Sequence, residues 1–128
     1  MATTTQHIAL LSFTALFLPA CNVVKMQARH TQKEFKKAGL TEHTFAGPNG
    51  PMHVWSASFT AKPKLMLVHG VTSSAAMWAG NAAPLSATYD LIIPDLIGHG
   101  GSTNTWSGNS VDAQVAHLLA TFPGQLCC

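Results

Sequence analysis

The residues able to do chemistry concentrate in two short stretches. His69-Gly70 stands directly behind the apolar run Lys64-Leu65-Met66-Leu67-Val68, and Asp95-Leu96-Ile97-Gly98-His99-Gly100-Gly101-Ser102 stands directly behind a second run, Tyr89 to Pro94. In both, glycine removes the Cβ that would keep a backbone from turning sharply or approaching a bound group. The other candidates do not converge. Seven histidines, at positions 7, 30, 43, 53, 69, 99 and 117, include no pair at i, i+2 or i, i+4, the spacings that bring two imidazoles onto one metal ion. Neither a metal nor a cofactor is expected. Cys21, Cys127 and Cys128 lie at the two ends of the chain. They have no CxxC spacing, and the adjacent pair is poorly placed for a mutual disulfide, so cysteine does not staple a core.

The elements that must position these stretches follow from patterning. Leu40 to Ala46, the turn signal Gly47-Pro48-Asn49-Gly50 and Met52 to Ser58 predict a β-hairpin. Ala61-Lys62-Pro63 is a breaker, after which Lys64 to Val68 is apolar on both faces beyond its first residue, the mark of a strand inside a parallel sheet. Ala75 to about Ala87 carries Met77, Trp78, Ala82 and Leu85 at roughly helical spacing, and Tyr89 to Pro94 reads as the next buried strand. Together they make a βαβ unit. Asn109 or Ser110 caps a last helix with Val111, Val115, Leu118 and Leu119 as its apolar face and Asp112 in its first turn, ending near Pro123-Gly124. Ser102 to Asn109 is a polar loop.

The chain has 128 residues, 47% hydrophobic and 9% charged, which excludes a disordered tail and allows one small domain. A net charge of +2 with no basic cluster in the domain excludes a nucleic-acid footprint.

At the N-terminus, Ile8 to Ala20 is an uncharged apolar run of about thirteen residues, shorter than the ~20 a spanning helix needs. It reads as the core of a secretory signal peptide. Leu18 is too large for ordinary cleavage after Ala20, whereas Leu18-Pro19-Ala20-Cys21 resembles a bacterial lipobox and makes Cys21 the candidate lipid-attachment residue. The expected organisation is a signal peptide over 1–20, a tether or amphipathic helix over 21–39, a domain over 40–121 and an irregular tail over 122–128. In the tether, Val23, Met26, His30 and Phe35 sit among basic residues, Lys33, Lys36 and Lys37 read as a solvated face, and Gly39 is the stop signal. The expected location is outside the cytoplasm, as a bacterial membrane-anchored lipoprotein or a periplasmic or secreted protein.

Taken in order, the strand ending in His69-Gly70, the Trp78 helix and the strand ending in Pro94-Asp95-Leu96-Ile97-Gly98-His99-Gly100-Gly101-Ser102 resemble the α/β-hydrolase family over roughly Leu40 to Leu119. The implied fold class is α/β: a partial α/β-hydrolase fold, mostly parallel sheet, with an N-terminal antiparallel hairpin and flanking helices. In that family the HG turn follows the third strand and a D-x-x-G-x-G-x-S loop follows the fourth, here Asp95, Gly98, Gly100 and Ser102. The resemblance implies oxyanion stabilisation at the HG turn. The backbone N–H of Val71 would meet the charge that develops on a carbonyl oxygen, Gly70 would let the backbone come close, and His69 would orient the loop rather than act as a base. Asp95, His99 and Ser102 would brace the floor of the site, and Trp78 would pack in the core or line the pocket.

The family's serine stands in a G-x-S-x-G elbow, followed by an acid and a late histidine. No such elbow is present. Gly108-Asn109-Ser110-Val111-Asp112 lacks the second glycine and follows no apolar strand, so Ser110 reads as a helix cap. The chain therefore reads as the N-terminal portion of a hydrolase of carboxylic esters or related bonds, with no nucleophile of its own, inactive alone, and acting on an ester-like small molecule only when completed by further sequence. The alternative is a membrane-tethered, non-enzymatic interaction module, or the product of a pseudogene, with the hydrolase topology. Either reading leaves 64–68 as an edge strand able to self-associate.

Overall fold

The computed structural model describes residues 22–103 and 110–124. The chain forms two compact units, Met1–Gln32 and Lys33–Cys128. In the first, residues 22–32 are helical, and Val23, Met26 and His30 are exposed. The signal segment 1–20, Cys21, Cys127 and Cys128 lie outside the described residues. Among the described residues no helix is long and apolar enough to cross a membrane.

The second unit begins with the end of helix α1 (residues 22–37). Its one large apolar side chain, Phe35, is fully buried with its ring 5.1 Å from that of Trp55. The stop falls where expected: Gly39 adopts φ +75°, a left-handed conformation that glycine takes without a Cβ penalty. The hairpin follows as β1 (Leu40–Gly47) and β2 (Gly50–Ala57), paired antiparallel with Gly47 opposite Gly50. Next come β3 (Lys64–Met66), a 3-10 turn (Ala75–Trp78) running into α2 (Ala79–Ser86), β4 (Asp90–Pro94) and α3 (Val111–Thr121).

The sheet order is β1-β2-β4-β3. It is mixed: β2 and β4 pair antiparallel, β3 and β4 parallel. Phe35, Leu40, Trp55, Leu91, Ile93 and Ala82 form the core on one face of the sheet, and Met52, Val54, Ile92, Ile97, Leu118 and Phe122 form it on the other. All five residues of β4 are buried, as a central strand covered on both faces requires.

Two expectations take a different form. The strand placed at Lys64 to Val68 pairs only through Met66, with one more bond from Leu67 N to Ile92 O, and Val68 is 40% exposed. Among the described residues β3 pairs with β4 alone, so its far edge has no strand partner there. Helix α3 begins at Val111 with Ser110 as its cap, the hydroxyl accepting from Ala113 N at 3.2 Å. It is rotated from the expected register. Gln114, His117 and Leu118 face inward, and Val111, Val115 and Leu119 are exposed. Gly47 explains the rotation, because any Cβ there would overlap the His117 ring, so the strand offers a flat recess that the imidazole fills. Phe122, assigned to the tail, is buried with its ring 5.3 Å from Phe45.

Candidate functional site: a turn, a pocket and a carboxylate hub

Gly70 to Ser73 form a tight turn, closed by Ser73 N donating to Gly70 O at 3.3 Å. Thr72 has φ +62° and is the one non-glycine residue at positive φ among those described. A turn with positive φ at its third position alone is type II, which favours glycine there and accepts proline at the second position, occupied here by Val71. A β-branched residue in that conformation is an outlier, and outliers of this kind collect at functional sites. Replacing Thr72 by glycine should therefore raise stability by about 0.5–1 kcal/mol in denaturant unfolding, relief of the left-handed strain outweighing the added chain entropy. Val71 is 82% exposed, and among the described residues its N–H meets no acceptor.

His69 is buried and holds this turn to the next loop. Leu96 N donates to His69 Nε2 at 2.9 Å, which leaves the ring proton on Nδ1 to donate to Gly70 O at 2.8 Å. Both ring nitrogens are thus engaged, and His69 acts as a strut between the β3 and β4 ends. The turn, His69 and α3 surround a cavity of about 560 Å³, lined by Val68, His69, Gly70, Val71, Leu96, Gly98, His99, Val111, Gln114, Val115 and Leu118. Its size suits a small organic ligand. The exposed apolar stripe of α3 is one of its walls.

Behind the turn lies a second construction. The Asp95 carboxylate is buried and accepts from Ala75 N at 2.6 Å, from Gly101 N at 2.9 Å and from His53 Nδ1 at 2.8 Å. The opposite nitrogen of His53 meets Glu42 Oε1 at 2.6 Å. Ser102 completes the cluster. Its hydroxyl accepts from His53 N at 2.8 Å and donates to Asp95 O at 2.6 Å. Ser102 is fully committed as a brace between β2 and β4, and Asp95 ties the start of the 3-10 turn to the glycine loop. Nothing in the sequence singles out His53 or Glu42 as a site residue. They sit on diagonal positions of the hairpin, a relation that requires the register.

The Asp95 hydrogen bond, opposed by burial and helped by Glu42, raises the His53 pKa above 6.5. Burial would raise the Asp95 carboxyl, yet the hydrogen bonds from His53, Ala75 N and Gly101 N hold it below 3.8. Burial alone lowers His117. The signs combine into a pH optimum. The His53 contribution is complete below pH 6.5 and is lost as pH rises through its raised value. The His117 contribution is complete above 6.5 and is lost as pH falls, and that of Asp95 is lost only below 3.8. Thermal stability should therefore peak near pH 6.5, and His53→Gln should flatten the alkaline limb while leaving the acid limb in place. A melting profile across pH 4 to 9 checks this, and an unchanged alkaline limb in the variant would refute the assignment.

A family model described as the alpha/beta hydrolase fold matches residues 63–125, the segment that holds the turn, Asp95, Ser102 and α3. The chain has a partial α/β-hydrolase-like fold. Solved structures agree with this. A membrane phospholipase A, a bacterial virulence factor, is 26% identical with a TM-score of 0.67, over 94% of this chain and 40% of the other. Lip1 of Acinetobacter baumannii AYE is 25% identical with a TM-score of 0.65, over 74% and 33%. The naproxen esterase of Bacillus subtilis, at 23% identity and a TM-score of 0.57 over 77% and 37%, shares the fold. An uncharacterized protein of Mycobacterium tuberculosis strain H37Rv is 37% identical over 51 residues, 40% of this chain and 15% of that protein. The chain thus spans well under half of the length of the solved hydrolases it resembles.

Proposed function

We propose that this chain supplies the oxyanion side of an active site that hydrolyses carboxylic esters or related bonds, with the Val71 N–H as one donor and His69 and Gly70 as the loop that carries it. The observation supporting this is the unpartnered Val71 amide in a strained type II turn at the rim of an apolar cavity. An amide held by a rigid turn stabilises a developing anion without reorganising. The nucleophile, acid and catalytic histidine come from residues other than these 128, since no G-x-S-x-G elbow stands in the chain. Two of the solved relatives are described as a phospholipase and an esterase, which fits an ester-type substrate.

The test uses the position of Val71 in the turn. Proline suits that position and removes the N–H. Hexanoate titrated into the chain should shift the Val71 amide resonance downfield to saturation, and Val71→Pro should weaken hexanoate binding about tenfold or more while leaving the fold intact. Equal binding by the variant would refute the donor. The chain alone should hydrolyse a nitrophenyl ester no faster than buffer, and a rate abolished by replacing one of its own serines would overturn the division of labour.

The apolar run 8–20 and Cys21 support export and lipid attachment as the accompanying proposal. Labelling by a radioactive fatty acid in a bacterial host, lost in Cys21→Ser, is the expected result. The other reading, a non-enzymatic module, draws on the β3 edge that has no strand partner among the described residues and predicts concentration-dependent self-association without any response to hexanoate.

A further inference from the structure

The hairpin tip carries chemistry of its own, apart from the turn at Val71. The chain has five asparagines, at 22, 49, 81, 104 and 109, and Asn49 alone is followed by glycine. A backbone nitrogen can attack the side-chain amide of the asparagine before it, closing a five-membered imide. A Cβ on the attacking residue crowds that approach, and glycine has none. The hairpin leaves the pair in the open. Pro48 and Asn49 are exposed and form the two-residue loop between β1 and β2, and Gly50 begins β2 opposite Gly47, the last pair of the ladder. Gly50 has φ +119°, and neither Pro48 nor Asn49 has a positive φ, the type I pattern with glycine in its last position. Asn81 is the contrast. It is also exposed, but the residue after it, Ala82, is fully buried inside α2.

We propose that Asn49-Gly50 is a self-modification site, at which deamidation through a cyclic imide converts Asn49 to isoaspartate and loosens the hairpin tip from the loop that carries Gly98. The Gly50 nitrogen, having lost its proton, bonds to the side-chain carbonyl carbon of Asn49, and that carbon releases its own nitrogen as ammonia. Water then opens the imide. Cleavage at the side-chain carbonyl gives aspartate, and cleavage at the main-chain carbonyl gives isoaspartate, whose backbone is longer by the Asn49 methylene. Water enters and ammonia leaves, with nothing oxidised or reduced. Both products carry a new negative charge, and the longer one also disturbs the turn that sets the register of the two strands. The disturbance has a route inward. A Cβ built on Gly50 would stand 2.6 Å from the Thr103 methyl carbon, so that side chain packs directly on the glycine. Thr103 N donates to Pro51 O at 3.1 Å, and Gly98 N donates to Thr103 O at 2.7 Å. Gly98 lines the cavity.

The experiment ages the full chain beside a synthetic peptide of residues 45–53 at 37 °C and pH 8, and follows both by peptide mass spectrometry and by methylation with a protein isoaspartyl methyltransferase. Conversion at Asn49 should proceed within about tenfold of the peptide's rate, because an exposed turn opens at little free-energy cost, while Asn81 stays unconverted. In the aged protein the Thr103 and Gly98 amide resonances should move. Asn49→Ser keeps a residue suited to the turn, and it should hold both its mass and those resonances over the same period. Conversion more than about a hundredfold slower than in the peptide would mean that the fold protects the turn, and it overturns the site. Equal conversion at Asn81 also overturns it, since glycine would then not be the cause. Isoaspartate formed with the Thr103 and Gly98 amides unmoved overturns the route to the cavity. Ageing the unaltered chain needs no substitution, so a variant that fails to fold does not remove the test.

Discussion

Asp95→Ala should lower the unfolding free energy of this protein by about 3–5 kcal/mol, the range for removing one partner of a buried ion pair. Domains of this size are stable by only ~5–15 kcal/mol, so the variant should be partly unfolded at 37 °C. The effect is large because one carboxylate satisfies three donors on different segments: Ala75 N, Gly101 N and His53 Nδ1. Its side chain is 6% exposed, so water cannot take its place, and two backbone N–H groups and the His53 ring N–H lose their acceptor together. Asp95→Asn should retain part of the stability, because an amide oxygen still accepts one N–H. It should also bring the His53 titration down toward its ordinary value, since the first cause of the raised pKa is the Asp95 bond. Urea unfolding of the three proteins, with the His53 ring followed by NMR, checks both parts. An Asp95→Ala loss below about 1 kcal/mol would mean that the hub is not a significant stabiliser.

Gly100→Ala should cost about 2–4 kcal/mol, for a reason that depends on the same carboxylate. Gly100 adopts φ +50°, and a Cβ built there would overlap the Asp95 carboxylate. Left-handed backbone alone costs an alanine ~1 kcal/mol, and the larger part is steric. The end of a free aspartate would swing aside cheaply, but three hydrogen bonds pin this one. The two substitutions should therefore be non-additive. In the double variant Gly100→Ala with Asp95→Ala the obstacle is gone, and the combined loss should fall short of the sum of the single losses by about 1–2 kcal/mol, as expected for residues in contact. Strict additivity in a double-mutant cycle would show that the glycine is required for its backbone conformation alone.

The parts of the fold that were readable from the residues rest on short-range physics. The hairpin turn, the Gly39 stop and the Ser110 cap each follow from a local preference for conformation or hydrogen bonding, and each lies where expected. The two runs ending at His69-Gly70 and Asp95 became strands joined by a helix, because an apolar run between breakers has little choice but a buried strand. The α3 face did not follow its pattern. Val111, Val115 and Leu119 form the more apolar stripe, yet the helix turns His117 and Gln114 inward. A recess over Gly47 and a carbonyl at Ile97 are long-range features that no window over the helix contains.

The same division holds at the site. His69, Gly70 and Val71 could be singled out because a strand followed by HG and a helix is a local signature carried by family resemblance. His53 could not, being one residue of an alternating strand, with nothing around it to distinguish it from an exposed position. Its role arises because β4 inserts beside β2, which sets Asp95 against it from 42 residues away. Ser102 and Gln114 follow the same rule: the chemistry of a hydroxyl or an amide is carried by its residue type, but which lone pair or proton is engaged depends on partners brought in by folding. Residue order thus dictated the elements, the family resemblance and the turn, since those are governed by backbone preferences and apolar spacing. Packing alone assigned the hub and the wall of the pocket, since hydrogen bonds between distant segments exist only once the sheet order is in place.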